Sequence, residues 1–297
     1  VSIEDVTMTD VAFTMLNGMA DSNFETALDQ HVAWGLSHLD LKGGIFGKGL
    51  IDLTDDEAHQ VARMVEERNL SVYCLSTTLF DEDVEAGEDV FRQEHFGKLD
   101  RLIEIAELLK PHFGRLLAAK SSRRAEVADG VDYLRSEQVW LIDLYRQAIE
   151  KLTIAGCRVT VENECHNCLM SNPEEIVGFF DCLGCGDAVG LAWDVQNLWQ
   201  MGTPPTLHVY EQLKPLISYY HLKGGQSEFP DGPLKWRSSV EDASWPVEEI
   251  TNQVIADGVS PVICLNGSHG ERKTGYDYET VTERDLGYVK HKFGGRT

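Results

Sequence analysis

The sequence lacks any long apolar run. None approaches the roughly 18 residues that a membrane-spanning helix needs, although hydrophobic residues make up 42% of the 297-residue chain. No membrane association is therefore expected, yet there is ample material for a large core. Basic residues are also scarce: 26 Lys and Arg stand against 49 Asp and Glu, a formal charge of −23. A field of that sign repels phosphate backbones, so no general nucleic-acid binding is expected. It is compatible with a solubility device or a salt-rich environment. The densest acidic stretch, DEDVEAGED at 81–89, reads as a solvated loop. The stretch VSIEDVTMTDVAFTML lacks the basic-then-apolar layout of a signal peptide, and the cysteines are odd in number, seven. A cytoplasmic location with reduced thiols is the expectation. Short repeats and low-complexity tracts are missing as well.

What is present is an alternation. Short apolar runs rich in β-branched and aromatic residues recur, each followed by a longer segment of helical periodicity. The expected strands are 11–16, 36–41, 70–76, 115–119, 157–162, 188–194, 217–222 and 261–266. Between them, TDDE from Thr54 to Glu57 is a capping box opening a helix that runs to about Asn69. A helix at about 96–109 stops before Pro111, and another at about 137–155 stops at Gly156. Asn172-Pro173 and Trp245-Pro246 open two more. Eight such units in under 300 residues point to an α/β fold, a single (β/α)₈ TIM barrel over 1–297, rather than a doubly wound sheet. Loop insertions are expected at about 77–95 and 224–244, both after strand carboxyl ends, where barrel enzymes build their sites.

Four successive strands end in groups that an apolar strand does not otherwise carry. CRVTVEN ends in Glu162, VGLAWDV in Asp194, YYHLKGG in His221 and Lys223, and ICLNGSHG in Asn266, Ser268 and His269. Oxygen donors and an imidazole converging on a barrel axis suit a divalent cation such as Mn²⁺, Mg²⁺, Co²⁺ or Zn²⁺. Taken singly, each has a bland reading: a surface carboxylate after a strand, or a histidine making one structural hydrogen bond.

The run VTVEN, GLAWDVQN and YYHLKGG, with HLDLKGG on the second strand and LSVYCLSTT on the third, resembles the xylose isomerase-like superfamily of sugar isomerases and epimerases. The resemblance covers most of the chain, and it is carried by the order and spacing of the motifs. It implies metal ligation by Glu162, Asp194 and His221, with manganese foremost, and places Lys223 beside the substrate or the metal. It also implies a sugar or cyclitol-type substrate and admits a homo-oligomer or a small partner subunit. Two departures matter. Asn197 stands where the family often has a substrate-contacting histidine, and Asn266 where the last strand usually ends in glutamate. An asparagine oxygen can ligate but cannot shuttle protons near neutral pH, so His269 is an alternative for completing the site.

The metal in such sites polarises a carbonyl, and one carboxylate removes the neighbouring proton while another group returns it. Glu162 and Lys223 are the expected catalytic groups. His166, in ENECHNC, is the candidate for the missing acid–base partner. Glu164 on the same loop and the barrel-facing Asp40 and His38 are weaker candidates, whereas Lys42, Lys120, Asn197 and His269 are expected to contact substrate. One base suffices for β-elimination, so a lyase such as a cyclitol dehydratase or a C-glycoside deglycosidase subunit stands beside isomerase or epimerase. A non-catalytic barrel scaffold is the alternative outside enzymology. An abasic-site nuclease is disfavoured by the acidic charge and the absence of surplus histidines.

Two further patterns carry no chemistry. The C-x₂-C pairs at 165/168 and 182/185 resemble a zinc site. On the barrel reading they lie at opposite ends of a helix, separated by roughly 16 Å. GGIFGKG at 43–49 lacks the Ser or Thr of a phosphate loop. It reads as a flexible loop over the pocket, where Phe46, Phe80, Trp199 and Trp236 could form apolar walls.

Overall fold

The computed structural model describes residues 11–294. Residues 1–10, part of the stretch read for a leader, and the last three of the expected domain lie outside them. Eight strands make one sheet: β1 (Ala12–Met15), β2 (His38–Leu41), β3 (Ser71–Ser76), β4 (Phe113–Leu117), β5 (Arg158–Glu162), β6 (Val189–Asp194), β7 (Ile217–Leu222) and β8 (Val262–Leu265). Every ladder is parallel, in the order β1-β8-β7-β6-β5-β4-β3-β2. The remaining seam between β1 and β2 is nearly closed. Leu16 and Asp40 bridge in parallel, and Thr14 Oγ1 donates to His38 O at 2.8 Å. With helices outside, this is a TIM barrel. No helix among the described residues is long and apolar enough to cross a membrane.

Local signals position the helices. The capping box forms in full: Thr54 Oγ1 accepts from Glu57 N–H at 3.3 Å, and Glu57 accepts from Thr54 N–H at 2.8 Å. Asn172 caps Pro173–Leu183, and a left-handed Gly184 ends it. A short helix, Gly130–Ser136, precedes the expected one at Val139–Ile154 and is capped by Asp129.

Several expectations change. The fourth strand begins at Phe113, two residues before the expected 115–119, because the apolar run RLLAA drew the boundary too late. Phe113 is already in register with Cys74 and Arg158. Gly114 is favoured there because a Cβ would stand 2.9 Å from Cys157 Sγ. The expected flexible loop at 43–49 is an ordered hairpin, Gly43–Ile45 against Lys48–Gly49. Phe46 (φ 53) and Gly47 (φ 77) supply the positive angles of its tight turn. The acidic 81–89 stretch is pinned down rather than merely solvated. Asp81 pairs with Lys120, Asp83 accepts from Ser122 N–H at 3.0 Å, and Glu85 accepts from Ser121 Oγ at 2.8 Å and Tyr133 OH at 2.6 Å.

The insertion after β7 turns back on itself through a bridge between Gln226 and Trp236, and Trp236 bridges on to Glu271 in the loop after β8. Gly224 is required at its start, since a Cβ would collide with Ser238 O. Phe80 and Trp199, expected as pocket walls, are buried core residues. Phe80 stacks near Tyr145, and Trp199 Nε1 is anchored on Gly232 O at 2.8 Å.

Candidate metal centre

The barrel brings Glu162, Asp194 and His221 together at the carboxyl ends of β5, β6 and β7. One donor atom from each lies within 4.8 Å of the other two, and all three side chains are buried. Register explains the convergence: Asp194 is opposite His221 across the β6–β7 ladder, and Glu162 lies opposite Ala192 on β6. His221 Nδ1 is 3.1 Å from Glu162 Oε1 and 3.9 Å from Asp194 Oδ2.

Each carboxylate also has a buried cation. Arg115, from the middle of β4, pairs with Glu162 Oε2 and donates to Ser76 O and Thr77 O at 3.0 Å. Burial would raise the Glu162 pKa, but Arg115 and then His221 outweigh it and hold the carboxyl well below its usual range. Lys223 Nζ lies 2.6 Å from Asp194 Oδ2 and 3.2 Å from Asn197 Oδ1. Two carboxylates against Arg115 and Lys223 leave the cluster formally neutral before a divalent ion or substrate arrives.

Asp194 is held from its backbone outward. Asn163 accepts from Asp194 N–H and donates to Asp194 O, both at 2.9 Å. Asp194 Oδ1 caps the following helix, accepting from Gln196 N–H at 3.0 Å and Asn197 N–H at 2.9 Å. Its other oxygen, Oδ2, is thereby fixed toward the cluster. Gln196 Nε2 donates to Gly224 O at 2.8 Å and Ser268 Oγ at 2.6 Å, tying the loops after β7 and β8 to the same helix start.

Asn266 presents its amide nitrogen to Asp194 Oδ2 at 3.5 Å and turns its oxygen to Gly267 N–H at 2.8 Å. Asn197 is used internally, donating to Asn163 O at 3.1 Å while receiving Lys223. His269 is at the rim, its backbone N–H on Gln196 Oε1. Desolvation at the mouth and then the Lys223 charge lower its pKa to about 4. Lys42 is exposed, with its backbone N–H on Asn17 Oδ1 at 2.9 Å, and Lys120 is committed to Asp81. His166 is exposed in a left-handed turn (φ 55), whereas Glu164 on the same loop is half-buried. Burial and then the Glu162 charge raise the Glu164 pKa.

A second set shares the imidazole. Asp40, His221 and Cys264 also bring donor atoms within 4.8 Å of one another. Tyr219 OH already donates to Asp40 Oδ2 at 2.8 Å, and burial pushes the Cys264 thiol well up, away from the thiolate a metal needs. The Glu162, Asp194 and His221 set therefore fits a hard divalent ion better. Asp40 Oδ1 and His221 Nε2 are both buried without a partner. No cluster of the four C-x₂-C cysteines occurs among the described residues.

Arg115, Asn163 and Gln196 were not anticipated from the sequence. The available signal for Arg115 was a charge in the middle of the apolar run FGRLL.

A family model described as xylose isomerase-like TIM barrel matches residues 33–280. No curated protein matches the chain significantly. Among solved structures, a xylose isomerase-like TIM barrel protein from Mycobacterium smegmatis, in complex with magnesium, is 16% identical, with a TM-score of 0.68 over 96% of each chain. The probable 3-DHS dehydratase AsbF from Bacillus anthracis is 13% identical, with a TM-score of 0.68 over 94% of this chain and 98% of its own. The 3-keto-D-glucoside 4-epimerase from E. coli is 11% identical, with a TM-score of 0.68 over 95% of this chain and 99% of its own. At such identities these three report the fold. The extent of the family match decides membership: the chain belongs to the xylose isomerase-like TIM barrel family.

Proposed function

We propose that the chain, read as one barrel domain, is a divalent-metal-dependent isomerase or epimerase acting beside the carbonyl of a sugar-like substrate. The observation that carries this is the buried convergence of Glu162, Asp194 and His221 within 4.8 Å. Two carboxylates and an imidazole suit Mn²⁺ first, with Mg²⁺, Co²⁺ and Zn²⁺ as competitors. Asn266 could complete the donor set after an amide turn. A bound ion of this kind polarises a carbonyl and acidifies the adjacent C–H.

The chain's own residues then have distinct tasks. Lys223, fixed between Asp194 and Asn197, holds positive charge where an oxyanion would develop. Glu162 takes the proton only if its hold on Arg115 loosens, because that ion pair makes it a weak acceptor. Glu164 and His166, on the loop after β5, are candidates for the second transfer. Lys42 and His269 would contact substrate from the rim, and Lys120 would do so only if released from Asp81.

Asn266 favours a second reading, β-elimination, because it removes the carboxylate a two-base reaction would use at that strand end. The test is incubation of the metal-loaded protein with a panel of keto-sugars and keto-cyclitols in deuterium oxide, followed by NMR. Exchange of the proton beside the carbonyl with the skeleton retained supports isomerase or epimerase. An enone with loss of water supports the lyase. No exchange or elimination across the panel, with metal bound, would favour the scaffold reading.

A further inference from the structure

The two loops that flank the metal cluster also build a cavity of about 250 Å³ at the rim beyond β8. Arg237 and Ser238 come from the insertion after β7, and Ser268 and Arg272 from the loop after β8. Thr282 and Asp285 come from the helix Val281–Phe293. In a chain with a formal charge of −23 almost any arginine can find a carboxylate, yet neither guanidinium pairs with one among the described residues. Arg237 Nε is buried with no partner. Both guanidinium groups lie over the Tyr278 ring, Arg237 at 5.2 Å and Arg272 at 4.7 Å from its centroid. Tyr278 OH is itself fixed on Arg237 O at 2.9 Å. The ring thus anchors two cations that line the same cavity with no carboxylate paired to either, which leaves net positive charge at its wall.

Two features add to this. The helix Val281–Phe293 starts at the cavity wall, and its N-cap residue, Thr280, makes no side-chain cap, so first-turn N–H groups remain available to an anion. Asp285 is the one carboxylate lining the cavity. Its Oδ1 accepts from Val240 N–H at 2.7 Å, and burial raises its pKa to about 7, which reduces its opposition near neutrality.

The cavity is joined to the metal cluster by a short relay. Ser268 Oγ accepts from Gln196 Nε2 at 2.6 Å, and Gln196 N–H donates to Asp194 Oδ1 at 3.0 Å. Gly267, also in the cavity wall, follows Asn266, which faces Asp194.

We infer that this rim cavity is an oxyanion subsite, so that the substrate carries a phosphoryl or carboxylate group at the end remote from its reacting carbonyl. The inference rests on the metal-site reading for the position of that carbonyl, but not for the binding of the anion.

The test uses the full chain stripped of metal, so that the anion cannot be held by an ion at Asp194. Inorganic phosphate is titrated by ³¹P NMR, with acetate as competitor, and metal uptake is measured on the same samples. Saturable one-to-one phosphate binding is expected, weakened at least tenfold in Arg237→Met/Arg272→Met with metal uptake unchanged. Asp285→Asn should tighten it severalfold, a gain that misfolding cannot mimic. Displacement by acetate at concentrations equal to or below those of phosphate would identify a carboxylate; poor displacement would identify a phosphoryl group. No saturable phosphate or acetate binding, or binding indifferent to all three substitutions, would overturn the subsite even where metal uptake is intact. Loss of metal uptake with phosphate binding retained would instead sink the metal reading and leave the subsite standing.

Discussion

The two ends of this barrel differ in a way that cavity size conceals. At the floor, the amino ends of β4 to β7 surround a cavity of about 730 Å³ lined by Phe113, Arg158, Val189 and Ile217. Its charged groups are dispersed: Arg158 lies 5.2 Å over the Phe113 ring and 3.0 Å from His112 Nε2. At the mouth, two carboxylates, an imidazole, a lysine and an arginine are all buried and joined pairwise, Arg115 to Glu162, Glu162 to His221 and Asp194 to Lys223. Space alone is not a site. Desolvated charge that the fold must hold in place marks the reactive end, because each such group costs free energy unless it is paired.

The sharpest way to break this comparison is Arg115→Met. It leaves Glu162 buried with no guanidinium partner, and the expected cost is about 3–5 kcal/mol in denaturant unfolding of metal-free protein. Added Mn²⁺ should restore part of that loss by taking the freed carboxylate. A variant as stable as the parent without metal would show that the ion pair does not hold the mouth together.

Proton transfer sharpens it next. Glu164 is half-buried beside the cluster while His166 is exposed. Glu164→Gln should therefore lower the solvent-exchange rate of a responsive keto-sugar by roughly 100-fold, and His166→Ala by far less. The reverse order would return the role to His166.

One layer below, Asp40 and His221 each leave a buried atom without a partner. A carboxylate that orients a ligating imidazole is worth about 10–100-fold in metal affinity. Asp40→Asn should cost that much in Mn²⁺ titration with little change in melting. Unchanged affinity would make Asp40 a core acid tied only to Tyr219 and Cys264. The smallest effect belongs to the floor. Arg158→Ala should leave metal content unaltered and shift stability within about 0.5 kcal/mol. Loss of metal there would erase the distinction between the two ends.

The sequence made the mouth legible where chemistry sits at a strand's end. Glu162, Asp194 and His221 each terminate an apolar run, and parallel register alone brings them together. Arg115 escaped because it is mid-strand, and because the apolar stretch after it pulled the expected boundary two residues late. The hairpin at 43–49 was hidden by Phe46, whose positive φ no propensity anticipates. Nor does spacing reveal Arg237 and Arg272 as a pair, since only the packing of two loops on Tyr278 assembles them. The roles expected for Asn197 and Lys120 were read from position in the chain. The structure commits both side chains to internal partners, Lys223 and Asp81.

The central claim is that the mouth holds a divalent ion through Glu162, Asp194 and His221. Its most direct test is elemental analysis of the wild-type protein and of Glu162→Ala/Asp194→Ala, each after incubation with Mn²⁺, Mg²⁺, Co²⁺ and Zn²⁺ and desalting. The account predicts one tightly held ion per wild-type chain and none in the double variant, with both proteins folded. An ion retained equally by both, or by neither, would contradict it.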